Sequence, residues 1–120
     1  MDRVVMIDGK ERHLKASALL PRQYRYHFGR DLMVDMKKAL ERNGKSIDDA
    51  VDNYGLEDMD MSTFENLAWL MLRNGGEDVG GSPEEWLDSI DDSMMIYSIM
   101  GDVVALWTAS NATMSKPKKK

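Results

Sequence analysis

From Leu20 to Leu40 the apolar side chains return every three or four residues, and this constrains the chain more than any other feature. Leu20, Tyr24, Phe28 and Leu32 stand four apart, and Met33, Met36 and Leu40 continue the stripe. That is the period of an α-helix with one buried face, and a strand would alternate every second residue. Pro21 suits a first helical turn, where its missing N–H would have no partner in any case. Gly29 interrupts the pattern at a cost of about 1 kcal/mol relative to alanine. The expectation is two helices, or one kinked helix, meeting at Gly29, with Asp31 in the first turn of the second half and Asn43-Gly44 as the C-cap.

The rest of the chain reads in the same terms. Residues 3–7 are apolar and β-branched, Asp8-Gly9 is a favoured type I′ turn pair, and residues 11–15 return with Leu14, which predicts an N-terminal β-hairpin over about 3–15. An isolated hairpin is marginal in water, so its apolar face is expected to pack on the helices. Residues 45–61 are ambiguous: Ile47, Ala50, Val51 and Tyr54 fit one short helix, followed by an acidic connector at 57–60. Ser62-Thr63-Phe64-Glu65 matches a capping box ahead of Phe64, Leu67, Ala68, Met71 and Leu72. Residues 75–81, with four glycines and two acids, read as a flexible loop. Ser82-Pro83-Glu84-Glu85 repeats the start signal before Trp86, Leu87 and Ile90, and Asp91-Asp92-Ser93 recaps the chain. A longer helix then carries Ile96, Met100, Val103 and Trp107. The fold class expected is mainly α, a compact bundle of about five helices with an N-terminal β-hairpin. Residues 1–115 form one domain and 116–120 a Lys-rich tail.

Composition removes several functions. With no cysteine, a disulfide framework, a zinc-thiolate site and a cysteine nucleophile are all ruled out. The net charge is −5, and setting aside Lys116, Lys118, Lys119 and Lys120 leaves 12 bases against 21 acids, a balance of −9. A body that acidic repels phosphate backbones, so nucleic acid is not the expected partner. No apolar run approaches the ~20 residues that span a bilayer. Met1-Asp2-Arg3 lacks the apolar core of a signal peptide, so the chain is expected to stay where it is made.

No catalytic constellation emerges. Histidine occurs only at His13 and His27, in a predicted strand and a predicted helix, without a motif that pairs either with a serine. The 75–81 loop has glycines but carries Glu77 and Asp78 where a phosphate cradle would carry lysine. The pairs Asp48-Asp49 and Asp91-Asp92 sit in polar segments where nothing raises a carboxyl pKa. His27, Asp31 and Asp35 stand in single file on a helix, spread over two turns and too far apart to converge on one ion. Asp58, Asp60 and Ser62 begin like a calcium loop, but Thr63 replaces the needed glycine and Trp69 the closing glutamate. The expectation is a non-enzyme without metal or cofactor.

Binding residues are better represented. Eleven methionines in 120 residues is an unusual number. Methionine suits both irregular cores and surfaces that accept varied partners. Met33, Met36, Met71, Met94, Met95 and Met100 read as core filler, whereas Met59 and Met61, beside the acidic connector, are candidates for an exposed contact. Tyr24 and Phe28 read as core by spacing and stand among the partner-binding candidates. Arg30 and Asp31 have two readings, partner contacts or a kink with a local ion pair. Adjacent residues do not face each other on a helix, so Arg30 would need a different acid. Trp69 is the best interface candidate of the three tryptophans, because residues 67–72 are apolar almost all round and cannot all face one core.

The pattern Pro21-x-x-Tyr24-Arg25-x-x-Phe28-Gly29-Arg30-Asp31-x-x-x-Asp35-Met36 resembles the helical signature of tail assembly chaperones from long-tailed bacteriophages and related prophages. The order of the other pieces agrees across nearly the whole chain: the Ile7-Asp8-Gly9-Lys10 hairpin, the helix with Leu67-Ala68-Trp69, the Pro83-Glu84-Glu85-Trp86-Leu87 segment and the Lys-rich end. The resemblance implies a host-cytoplasmic assembly factor, absent from the mature virion, that binds the tape-measure protein and recruits tail-tube subunits, with self-association also allowed. Many members of that family exist in two lengths through ribosomal frameshifting. Lys118-Lys119-Lys120 is compatible with an A-rich slippery site and equally with a solvated tail. The reading from another class is a small acidic regulatory protein that binds a basic host protein electrostatically.

Overall fold

The computed structural model of the protein describes residues 1–43 and 61–111, the side chains of 42 and 43 excepted. The expected short helix at 47–54, the connector at 57–60 with Met59, and the tail at 116–120 lie outside the described residues. In chain order the elements are β1 (Asp2–Ile7), β2 (Lys10–Lys15), α1 (Leu20–Phe28), α2 (Leu32–Asn43), α3 (Ser62–Asn74), α4 (Pro83–Asp88) and α5 (Met95–Ser110). The described part is mainly α with an N-terminal antiparallel hairpin, as the spacing predicts.

The hairpin turns at Asp8 and Gly9, both in the left-handed region (φ 51° and 79°), as a type I′ turn requires. Its register runs from Ile7↔Lys10 to Asp2↔Lys15. One further rung follows, in which Met1 and Ala16 exchange N–H···O bonds of 3.0 and 2.8 Å. Alternation along the strands sends Val5, Ile7 and Leu14 into the core and leaves Val4 and Met6 outside.

Helix α3 is the axis of the bundle, touching α1, α2, α4, α5 and β2. Phe64 and every residue from Leu67 to Leu72 are buried. A helix surrounded on all sides has no solvent face to keep polar, which explains why this stretch is apolar all round. The buried apolar residues form one continuous cluster.

Helix starts follow the sequence unevenly. At α4, Ser82 is the N-cap and its Oγ accepts the Glu85 N–H at 3.1 Å, while the Glu85 carboxylate accepts the Gly81 N–H at 2.6 Å. The reciprocal bond of the box thus falls one residue earlier than expected. At α3 the expected box is corrected: Met61 occupies the N-cap, without a side-chain cap bond, and Ser62 is already helical. Met61 is buried, so the gain from sealing its side chain outweighs a hydroxyl cap worth about 1 kcal/mol. The expected recap by 91–93 is likewise corrected: Met94 is the N-cap of α5, without a side-chain cap bond, and Asp92 instead closes a local turn just before the helix, its Oδ1 accepting the Met94 N–H at 2.9 Å.

The glycine-rich loop is tied down. Glu77 accepts the His13 backbone N–H and contacts His13 Nδ1, each at 2.9 Å, and takes a 3.2 Å bond from Arg12, while Val79 is buried. The His13 bonds come first in holding the Glu77 carboxyl below its usual range. Gly75 at the head of the loop passes so close to β2 that a Cβ there would overlap the His13 carbonyl. Gly75→Ala is therefore expected to push β2 off α3 and cost about 2 kcal/mol, an overpacking penalty measurable as a lower urea midpoint.

Candidate functional site

The signature residues meet at the corner between α1 and α2. Gly29 ends α1 in the left-handed conformation (φ 67°), and its N–H donates to the Arg25 carbonyl at 2.8 Å. A side chain at that φ would be strained, which is why glycine belongs there. Asp31 then starts α2: its Oδ1 accepts the Val34 N–H at 3.1 Å and its carbonyl accepts the Asp35 N–H at 3.0 Å. Its Oδ2 also accepts a 3.3 Å bond from Arg25.

Asp35 is the acid that Arg30 needs. It is 6% exposed, and its two oxygens accept Arg30 Nε at 2.7 Å and Nη2 at 2.9 Å in a fork. The Tyr24 hydroxyl donates to the same carboxylate at 2.8 Å. The Arg30 hydrogen bonds hold the Asp35 carboxyl below its ordinary range, ahead of the opposing effect of burial. Burial first, and then the bond to Asp35, push the Tyr24 phenol up to about 12. Six residues of the signature, Tyr24, Arg25, Gly29, Arg30, Asp31 and Asp35, therefore lock one helix corner.

The candidates for partner contact fall on both sides of the surface. Tyr24, Met61 and Trp69 are buried, and the expectation that Met61 and Trp69 present an exposed face is corrected. Trp69 is 1% exposed; its indole N–H donates to the Val79 carbonyl at 3.1 Å, and His27 and Phe28 lie edge-on to it at 5.1 and 6.1 Å. Phe28 is half-buried, edge-on to Tyr24 at 5.0 Å. Arg30 and Asp31 are exposed but committed to the corner. His27, Asp31 and Asp35 are likewise spoken for separately, His27 accepting a 2.8 Å bond from Arg73 at Nε2. Burial, with Arg73 second, lowers the His27 pKa and favours that neutral acceptor.

No family model, curated protein or solved structure matches this chain.

Three concavities matter. A polar cleft of about 350 Å³ lies between the hairpin turn and α4, with Lys10, Arg12, Glu77, Asp78 and Asp91 on its wall. Two of its charges, Arg12 and Glu77, are paired with each other, and the Asp8 carboxylate accepts the Asp91 N–H at 3.2 Å. Among the described residues no three His, Cys, Asp or Glu side chains are grouped to hold a metal ion. A second groove, about 580 Å³, runs between the start of the hairpin, α1 and the end of α5. Met1, Pro21, Met33 and Trp107 line it. A third, about 430 Å³, lies on α1 beside Tyr26.

The exposed apolar side chains Leu19, Tyr26, Met33 and Val34 were not among the sequence candidates. The signal for Tyr26 was available, since it lies off the stripe of Leu20, Tyr24 and Phe28. Met33 was hidden by Gly29, which resets the helical phase so that Leu32, Asp35, Met36 and Ala39 face inward.

Proposed function

We propose that the protein is a bacteriophage tail assembly chaperone, which binds the tape-measure protein and recruits tail-tube subunits in the host cytoplasm. It acts by stoichiometric binding and transforms nothing chemically. The ordered signature pieces of the sequence motivate the reading. The observation that carries it is the apolar groove with Met1, Met33 and Trp107 in its wall. Methionine adapts to differently shaped apolar partners, as a holding protein requires. The acidic body keeps the complex soluble until tube subunits displace the chaperone.

Coexpression with the tape-measure protein, followed by pull-down, is the test. The expected result is a soluble complex that survives a shift from low to high salt, because apolar burial is not screened. Absence of both enrichment and a solubility gain would remove the proposal. The electrostatic regulator remains the second reading, favoured by residues 61–111, which hold nine acids against the single base Arg73. It expects binding to a basic protein that collapses as salt rises.

A further inference from the structure

The charge on this chain is unevenly placed. Residues 16–30 contain no carboxylate but carry Arg22, Arg25, Arg30 and His27, in a protein where acids outnumber bases 21 to 16. Two of those arginines are neutralised at the helix corner, Arg25 by Asp31 and Arg30 by Asp35. Arg22 makes no ion pair among the described residues. It lies on the outer face of α1, where Leu19, Arg22, Gln23, Tyr26, His27 and Arg73 line the third concavity, with no acid among the described residues of its wall.

Tyr26 is 83% exposed, the most exposed of the large apolar side chains among the described residues, and Leu19 is 49% exposed. Nothing about the fold requires a tyrosine there. Its ring makes one aromatic contact, edge-on to His27 at 5.1 Å. Arg73 reaches the same floor from α3, held over the Trp69 ring at 5.6 Å and against His27. The floor is thus pre-positioned by core packing, while Arg22 and Tyr26 are exposed at the rim. Tyrosine and arginine side by side are the residue types that dominate binding hot spots, and preorganisation lowers the entropy cost of using them.

We propose that this face of α1 is a docking site for an acidic peptide segment of another protein, with an apolar side chain of the segment seated against Tyr26 and Leu19 and a carboxylate on Arg22 and Arg73. Charge complementarity selects the occupant: a cation-lined, acid-free hollow on an otherwise acidic surface attracts anionic segments and orients them. A nucleic acid fits less well, because only two arginines are available for phosphates and the remaining surface repels the backbone. A second copy of the chain fits less well too. A stable dimer buries about 800 Å² per partner, more than this small hollow and its rim offer. The site stands independently of the tail-assembly reading.

The test uses the full chain and a fluorescein-labelled peptide of glutamates flanking two central leucines, followed by fluorescence anisotropy, with a lysine-for-glutamate peptide as control. The acidic peptide is expected to bind saturably and the lysine peptide not to. Arg22→Glu and Tyr26→Ala are each expected to weaken binding about tenfold. Both residues are exposed, so thermal unfolding should be unchanged. Lys10→Glu at the hairpin turn makes the same charge change elsewhere and should have little effect. Equal binding of the two peptides, or equal weakening by Lys10→Glu, overturns the site. Tighter binding of a labelled oligothymidylate, or a concentration-dependent dimer abolished by Arg22→Glu, overturns the assigned occupant.

Discussion

Trp69→Ala is expected to lower the unfolding free energy by about 3–5 kcal/mol, the range for removing a large aromatic from a packed core. The residue is 1% exposed and sits on the central helix α3. Alanine would leave a cavity bounded by His27 and Phe28, take away the stacking surface of Arg73, and orphan the Val79 carbonyl that now accepts the indole N–H. Against a typical total of about 5–15 kcal/mol, this is a third or more of the stability of many domains. Urea denaturation should show a lower midpoint with an unchanged slope. A variant that kept wild-type stability and lost only partner binding would return Trp69 to the interface.

The second large effect belongs to the helix corner. Asp35→Ala removes the acceptor for both Arg30 bonds and for the Tyr24 hydroxyl, and is expected to cost about 3 kcal/mol. The upper end of the range for buried pairs is not expected, because the Arg30 side chain is 62% exposed and water and salt screen it. The same network sets a pH dependence at both ends. The folded state holds the Asp35 pKa below its unfolded value of about 4, so its contribution is present above that pH and is lost as pH falls through the folded value. Tyr24 works with the opposite sign. Its folded pKa of about 12 lies above the unfolded value near 10, so stability is retained below pH 10 and declines as pH rises from there to 12. Tyr24→Phe should flatten that alkaline decline, and chemical denaturation of both proteins between pH 8 and 12 checks it. An identical decline in the variant would show that another group is responsible.

Much of the fold was legible because helix and turn signals are local. The four-residue spacing of Leu20, Tyr24 and Phe28, the Asp8-Gly9 turn and the Ser82 box all depend on neighbours within one or two turns of chain, and each element stands where its residues predict. Gly29 was readable as either a kink or a break, and the structure shows a break, with one helix ending at Phe28 and the next starting at Leu32. Met61 and Ser62 show the limit. A good local cap lost its position to the burial of a single side chain, and burial is a property of the assembled core.

The candidate surface was less legible for the same reason. A run that is apolar all round, such as residues 67–72, has two physical solutions, an exposed binding face or a helix enclosed by others, and periodicity cannot separate them. Enclosure of α3 by four helices and a strand decided that Trp69 is core. The acid serving Arg30 was likewise among several in the sequence, and only the angle between α1 and α2 brings Asp35 under both Arg30 and Tyr24. The residues themselves determined where the helices run, where they stop and that residues 16–30 lack acids. Tertiary packing decided which side chains vanish into the core and which, like Tyr26, are left facing water, because that depends on elements distant in sequence closing over one another.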